Sequence, residues 1–287
     1  MRSPLPRIVL LALLLPIASA ADVFDDGGTH DVDYALTSTS FVQDGPGGAQ
    51  VHGGGRAGAS VGSIEAEDSS VLNLFLGAIV GFLDYQFSSS GSICGGTIQQ
   101  LDVTGTSSVE VSGGSFSNGS GGPLRATGGT LILQAGSFEN TAGSTALLLG
   151  GDVIEMRGGT VVNGTVDIGA GDVTISGGSI GSNQINSVSG GTLTLVGSAF
   201  NLPFGPIAGL YNGPLTGTLA DGTALSTTLF KSAGSSVTLV AGTQGPLTSA
   251  VCGPLGPHIP ALPMWAIALA LLAMITAARR PLATPRH

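Results

Sequence analysis

The sequence predicts an all-β protein, a right-handed parallel β-helix (a solenoid) followed by a C-terminal transmembrane helix. Three observations lead there. Glycine supplies 48 of 287 residues without any G-X-Y period, so the chain is turn-dense and not collagenous. Charged residues are 9% against 42% hydrophobic, where soluble domains carry roughly 25% charged residues, so neither an ordinary cytosolic enzyme nor a disordered chain fits. An apolar motif returns about every 20 residues through the middle of the chain, the period of a stacked-coil architecture.

At the N-terminus Arg2 and Arg7 precede the apolar run Ile8 to Leu15, and Ala18-Ser19-Ala20 places small residues where signal peptidase reads them. Residues 1–20 are expected to be a signal peptide, with Ala18 and Ala20 marking the cleavage site and Ala21 the mature start. The run is too short to span a bilayer, and no Cys near the site supports a lipid anchor. Residues 21–62 carry the turn sequences Asp26-Gly27-Gly28 and Asp44-Gly45-Pro46-Gly47 and are expected to form an N-terminal cap. Their acids Asp22, Asp25, Asp26, Asp31 and Asp33 are hard oxygen ligands of the kind calcium takes. Neither the EF-hand loop nor the G-G-x-G-x-D repeat occurs, so a solvated acidic cap is the preferred reading and no cofactor is expected.

Residues 63–200 read as the repeats. Aligned on Ile79, Ile98, Phe116, Phe138, Val161, Ile180 and Phe200, the steps are 19, 18, 22, 23, 19 and 20 residues. Two before each anchor stand Gly77, Gly96, Gly114, Gly136, Gly159, Gly178 and Ser198. Five before stand Leu74, Ile93, Val111, Leu133, Met156, Ile175 and Leu195; seven before stand Leu72, Gly91, Val109, Leu131, Ile154, Val173 and Leu193. Polar residues such as Asn73, Glu110, Glu155 and Thr174 lie between them, the period-2 pattern of a half-buried strand. Each repeat is strand, Gly corner, apolar anchor, which suits one coil of a parallel β-helix because neighbouring coils bury what one coil cannot. Leu133, Met156, Ile175 and Leu195 are expected in one inward column. Asn118, Asn140 and Asn163, each two after an anchor, are expected to stack at left-handed corners. Leucine-rich repeats lack their motif here; an antiparallel sandwich is the stronger rival.

After Phe200 the period breaks. Residues 201–240 are expected as a C-terminal cap, since terminal repeats are atypical, and residues 241–258 as a linker. Cys94 lies in the repeats and Cys252 in the linker; pairing is open to them in an oxidising compartment, but their separate units favour two free thiols with Cys94 partly packed.

Residues 259–287 form the last segment. The 20 residues from Ile259 to Ala278 carry no charge and suffice to span a membrane as a helix. Arg279, Arg280 and Arg286 follow, which keeps that end cytoplasmic and places the body outside. Trp265, the one Trp, sits at the outer edge of the span. Ile259, Pro260, Leu262 and Trp265, then the apolar helix with Arg279 and Arg280, resemble the IPTL-CTERM sorting signal of the PEP-CTERM type. Ala261 stands where that motif usually has Thr, and Pro263-Met264 replace its small-polar pair. The resemblance implies a surface protein of a Gram-negative-type bacterium, processed by an exosortase-like membrane transpeptidase and delivered to extracellular polysaccharide or biofilm matrix. The segment GPLTGTLADGTAL, residues 213–225, is also similar to one at the ends of β-helical proteins of that type. A plain membrane anchor through residues 259–278 is the alternative.

Little chemistry is legible. All 18 acids lie between Asp22 and Asp221, whereas residues 21–258 hold only Arg56, Arg125, Arg157 and Lys231 as bases. So acidic a body repels nucleic acid. Parallel β-helices host polysaccharide lyases and hydrolases, but lyase chemistry needs a positioned cation and base. Lys231 lies beyond the repeats, and Arg125 and Arg157 share no repeat position. Hydrolysis needs paired carboxylates; Asp152 and Asp172, in adjacent repeats, are the candidate pair, with solvated corner residues the simpler reading. His30, His52 and His258 lie outside the seven repeats. The sequence therefore points to a non-enzymatic structural or adhesive surface protein, with a surface polysaccharide-active β-helical enzyme as the alternative.

Overall fold

Alternation and the glycine corner dictate the architecture seen in a computed structural model. Its backbone is described for residues 22–24, 29–32, 40–43, 50–53, 60–74, 78–118, 121–180, 184–187, 190–247 and 252, with side chains from residue 62 onward. These belong to one unit, Met1–Cys252; the second, Gly253–His287, lies outside the described residues. The described residues are all-β, a parallel β-solenoid of about six turns. No helix occurs among the described residues, and so none there is long and apolar enough to cross a membrane.

Each coil runs through three parallel sheets. The first contains Val71–Leu74, Ser90–Ile93, the N-terminal parts of Ser108–Asn118 and Thr130–Asn140, Val153–Met156, Asp172–Ile175, Thr192–Ser198 and Ser236–Ala241. Its register is the one predicted from the repeats. Leu74, Ile93, Val111, Leu133, Met156, Ile175 and Leu195 pair in succession, and Leu239 extends the column. Leu133, Met156, Ile175 and Leu195 are fully buried together, as expected.

The corner after this sheet needs glycine for two reasons. Gly96, Gly114, Gly136, Gly159 and Gly178 all have φ between 92° and 119°, a region costly for residues with a Cβ. A Cβ on Gly178 would also sit 2.8 Å from the Gly159 carbonyl oxygen of the coil before.

The second sheet carries the anchors Ile98, Phe116, Phe138 and Val161. Phe116 and Phe138 stack with ring centroids 4.9 Å apart. Two expected anchors do not belong. Val80, not Ile79, pairs with Ile98; Ile79 pairs with Thr97 and is exposed, because a one-residue slip along a strand exchanges its faces. Phe200 leaves the ladder, since Gly197 and Ser198 already pair antiparallel with Leu219 and Thr218, and Phe200 packs only partly buried against the core. The expected Asn stack also fails. Asn118 pairs with Asn140, but a bulge sets Asn163 beside Glu139, and none of the three has positive φ. Asn140 instead turns its amide onto Ser144 and the Thr145 carbonyl, 2.9 and 2.8 Å away.

The third sheet includes the C-terminal parts of Ile79–Tyr85 and Thr97–Val103, then Leu124–Ala126, Thr145–Leu149, Thr165–Ile168, Gln184–Ser187 and Ala224–Lys231. Leu83, Leu101, Leu124, Leu147, Val166, Ile185 and Leu229 form its inward column, each of them fully buried. Residues 201–240 supply both a cover and a last coil. Tyr211–Leu219 lies antiparallel to Ala224–Lys231, burying Leu215 and Leu219, while Ala224–Lys231 and Ser236–Ala241 continue the third and first sheets.

Candidate functional site

Parallel pairing brings one position of every coil into a row, so side chains spaced by one coil along the sequence become neighbours. On the outer face of the third sheet this aligns Glu65, Asp84 and Asp102, followed by Arg125 in the next coil. Adjacent coils are roughly 4.8 Å apart. Three carboxylates at that spacing repel one another, and the row handles the charge unevenly. Arg125 Nη1 lies 3.8 Å from Asp102 Oδ2. Asp84 is 9% exposed; its Oδ2 accepts a 2.6 Å hydrogen bond from Gln86 Nε2, and its Oδ1 is buried without a partner. Burial first, then the charges of Asp102, Glu65 and Glu67, raise the Asp84 pKa above its ordinary value of 3.8, against a lowering by Gln86.

Further along the same face Asp167 is fully engaged. It accepts hydrogen bonds from Thr145 (2.5 Å), Thr165 (2.9 Å) and Asn186 (2.7 Å). The flank is thus acidic at one end and a hydroxyl and amide web at the other.

The described cations are all in use locally. Arg125 faces Asp102, Arg157 Nε donates to Glu155 at 2.7 Å, and Lys231, nearly buried, donates to the Gly209 carbonyl at 2.5 Å. The proposed carboxylate pair is not brought into one row, because Asp172 pairs with Val153 and so stands one step out of register with Asp152; both are exposed. Among the described residues no group of three or more His, Cys, Asp or Glu converges on a point where it would hold a metal ion. The side chains of the acid-dense stretch Asp22 to Asp33 lie outside the described residues, as do Ala18, Ala20, Ile259, Pro260, Leu262, Trp265, Arg279 and Arg280.

The cysteines require a correction. Cys94 and Cys252 are not free thiols; they form a disulfide with Cα atoms 5.3 Å apart. Their separation into repeat and linker is no obstacle, because the segment after Ser236–Ala241 turns back along the corner of the first sheet. Gly242 N donates to the Gly197 carbonyl at 3.1 Å, and Gln244 N to the Ala220 carbonyl at 2.8 Å. The Gln244 side chain accepts from Ser176 Oγ at 2.6 Å and donates to the Arg157 carbonyl at 2.9 Å, one coil further back. Leu247 then reaches Gly158, where a Cβ would stand 3.4 Å from its Cδ1. Up to Leu247 the strap steps back coil by coil, and Cys252 is bonded to Cys94.

Both features escaped the sequence reading. The acid row had a trace, since Glu65, Asp84 and Asp102 are 19 and 18 residues apart, the coil step itself. No comparable periodicity points to the disulfide. No family model, curated protein or solved structure matches the chain. What the fold and the site define is a class, a parallel β-solenoid with an acidic, hydroxyl-rich flank and a disulfide-closed strap.

Proposed function

We propose that the protein is an exported, non-enzymatic structural or adhesive β-helix of the bacterial surface or extracellular matrix, displayed through a C-terminal sorting signal. The observation that carries this reading is the Cys94–Cys252 disulfide, because such bridges persist in oxidising compartments and are rare in the cytosol. That is where the expected signal peptide, with cleavage after Ala20, would send the body. In this reading the coils wind right-handed, the sense parallel crossovers adopt almost without exception. Residues 259–278 form a transmembrane helix held by Arg279 and Arg280, and an exosortase-like transpeptidase recognises Ile259, Pro260, Leu262 and Trp265. Extracellular polysaccharide is the partner, met by the hydroxyl and amide web around Asp167 and not by a catalytic centre. Arg125 pairs with Asp102, Arg157 with Glu155 and Lys231 with the Gly209 carbonyl, local partnerships that suit a passive surface.

Fractionation of tagged protein, followed by mass determination of its mature termini, tests the reading. It expects a start at Ala21, an end within residues 259–262, and accumulation of a full-length membrane form when Pro260 and Trp265 are both replaced by Ala. Wild-type protein that keeps residues through His287 in an exosortase-competent host identifies the segment as an ordinary anchor instead.

A further inference from the structure

A solenoid under tension fails from its ends, because each coil is held only by its neighbours and terminal coils have one neighbour instead of two. If tension arrived at the last coil, it would peel Ser236–Ala241 from Thr192–Ser198, and each later coil would follow. The path of the strap changes where tension arrives. From Ala241, paired with Gly197, the chain turns back over Ser176, Arg157 and Gly158 and is covalently joined to Cys94. Cys94 follows Ile93, whose column continues through Val111, Leu133, Met156, Ile175, Leu195 and Leu239 before the chain ends its last coil. Gly253, the first residue of the C-terminal tail, is the next residue after Cys252.

We propose that the Cys94–Cys252 bridge is a mechanical lock, which admits force from the C-terminal tail at the coil of Cys94 and shields every coil enclosed between the two cysteines from unravelling. The proposal rests on the display reading, in which the chain that follows Cys252 connects the body to its surface. Force on the tail passes from Cys252 Sγ to Cys94 Sγ and then into Ser90–Ile93, which is paired on both sides by Val71–Leu74 and Ser108–Asn118. The strap's hydrogen bonds at Gln244 and the terminal pairing of Ser236–Ala241 carry none of it. Without the bridge those same contacts lie in series with the load and break one after another, beginning at the weakest point of the rod.

Single-molecule stretching of the full chain in detergent, with one handle at its N-terminus and one in the tail, tests this directly. The bridge spans a sequence separation of 158 residues, equivalent to roughly 520–570 Å of extended chain. The expected result is a fully stretched length shorter by about that amount without reductant, restored by reductant and by Cys252→Ser. The bridge-free forms should also yield at lower force, with Ser236–Ala241 detaching first. Equal stretched lengths with and without reductant, or an unchanged yield force, would overturn the lock. Surface fractionation separates the two possible failures: a shortened length in a protein whose tail is not its attachment leaves the lock standing as mechanics and removes the display reading on which its use depends.

Discussion

The Tyr85 hydroxyl donates a 2.8 Å hydrogen bond to the Leu72 carbonyl, from the third sheet across the interior to the first. Room for it exists because the inward position of the next coil is Gly91, paired with both Leu72 and Val109. A Cβ on Gly91 would stand 2.9 Å from Tyr85 Oη and 1.8 Å from the Leu72 oxygen. The column is otherwise aliphatic, and the full burial of Tyr85 pushes its phenol pKa well up, so it serves as a neutral donor. Tyr85→Phe should cost about 1–2 kcal/mol by leaving the carbonyl without this donor. Gly91→Ala should cost about 3 kcal/mol or more, because the contact is with backbone and the neighbouring coil must shift. Urea denaturation with an unchanged m-value checks both; a Gly91→Ala protein of wild-type stability would mean that the coil spacing here is wrong.

The disulfide makes a second prediction that needs no applied force. In the chain-entropy account a loop of this length is worth about 5 kcal/mol, an upper bound that strain and residual structure reduce. Cys94→Ser and Cys252→Ser should therefore each lower stability by about 3–5 kcal/mol, and reductant should bring wild type to the same level. Thermal unfolding with and without reductant decides; if reductant leaves wild type unchanged, the bridge does not close in solution.

The sequence revealed the first sheet far better than the third, for a geometric reason. From Ile93, Val111, Leu133, Met156 and Ile175 to the anchors Ile98, Phe116, Phe138, Val161 and Ile180 the step is always five residues, so a fixed offset from the anchor finds these inward residues; from Leu74 to Val80 it is six. Beyond the anchor the connection varies: Val80 to Leu83 and Ile98 to Leu101 are 3 residues, but Phe116 to Leu124 is 8, Phe138 to Leu147 is 9, and Val161 to Val166 is 5. Surface connections absorb such insertions at small entropic cost, and fixed-offset alignment loses the sheet behind them. The slip at Ile79 has a related cause, since Ile79 and Val80 are both apolar and only their pairing with Thr97 and Ile98 decides which one faces inward. The disulfide was illegible because it depends on a segment running across the coils, where the repeat carries no information.

Inward register is open to a direct test at Ile175, which lies between Met156 and Leu195 in the first sheet. Ile175→Asp buries an unpaired carboxylate in an apolar column and should cost about 4 kcal/mol. Thr194→Asp places the same group on the outer face, between Thr174 and Thr238, and should change stability by about 0.5 kcal/mol. Comparable losses at both sites would contradict the assignment of faces.

Asp84 links the acidic row to pH. Its carboxyl pairs in register with Glu65 on one side and Asp102 on the other, with Glu67 also contributing to its field. Its folded pKa lies above the ordinary 3.8, so the folded state holds the Asp84 proton more tightly than the unfolded chain does. The stabilisation from this group is complete at pH values below the unfolded pKa. It is lost progressively as pH rises from 3.8 through the higher folded value, after which the fold must carry an ionised, half-satisfied carboxylate between two others. Asp84→Asn removes that charge, keeps an acceptor for Gln86, and supplies an amide donor toward the carboxylates on either side. The variant should be more stable than wild type at pH 7, and the difference should shrink as the pH is lowered toward 4. Asp102→Asn is the informative partner: it relieves one repulsion on Asp84 but also removes the charge that Arg125 faces, so its gain at pH 7 should be smaller. Chemical denaturation of the three proteins across this pH range measures the effect, and a wild-type advantage over Asp84→Asn at pH 7 would show that the ionised carboxylate is stabilised by its surroundings instead of strained by them.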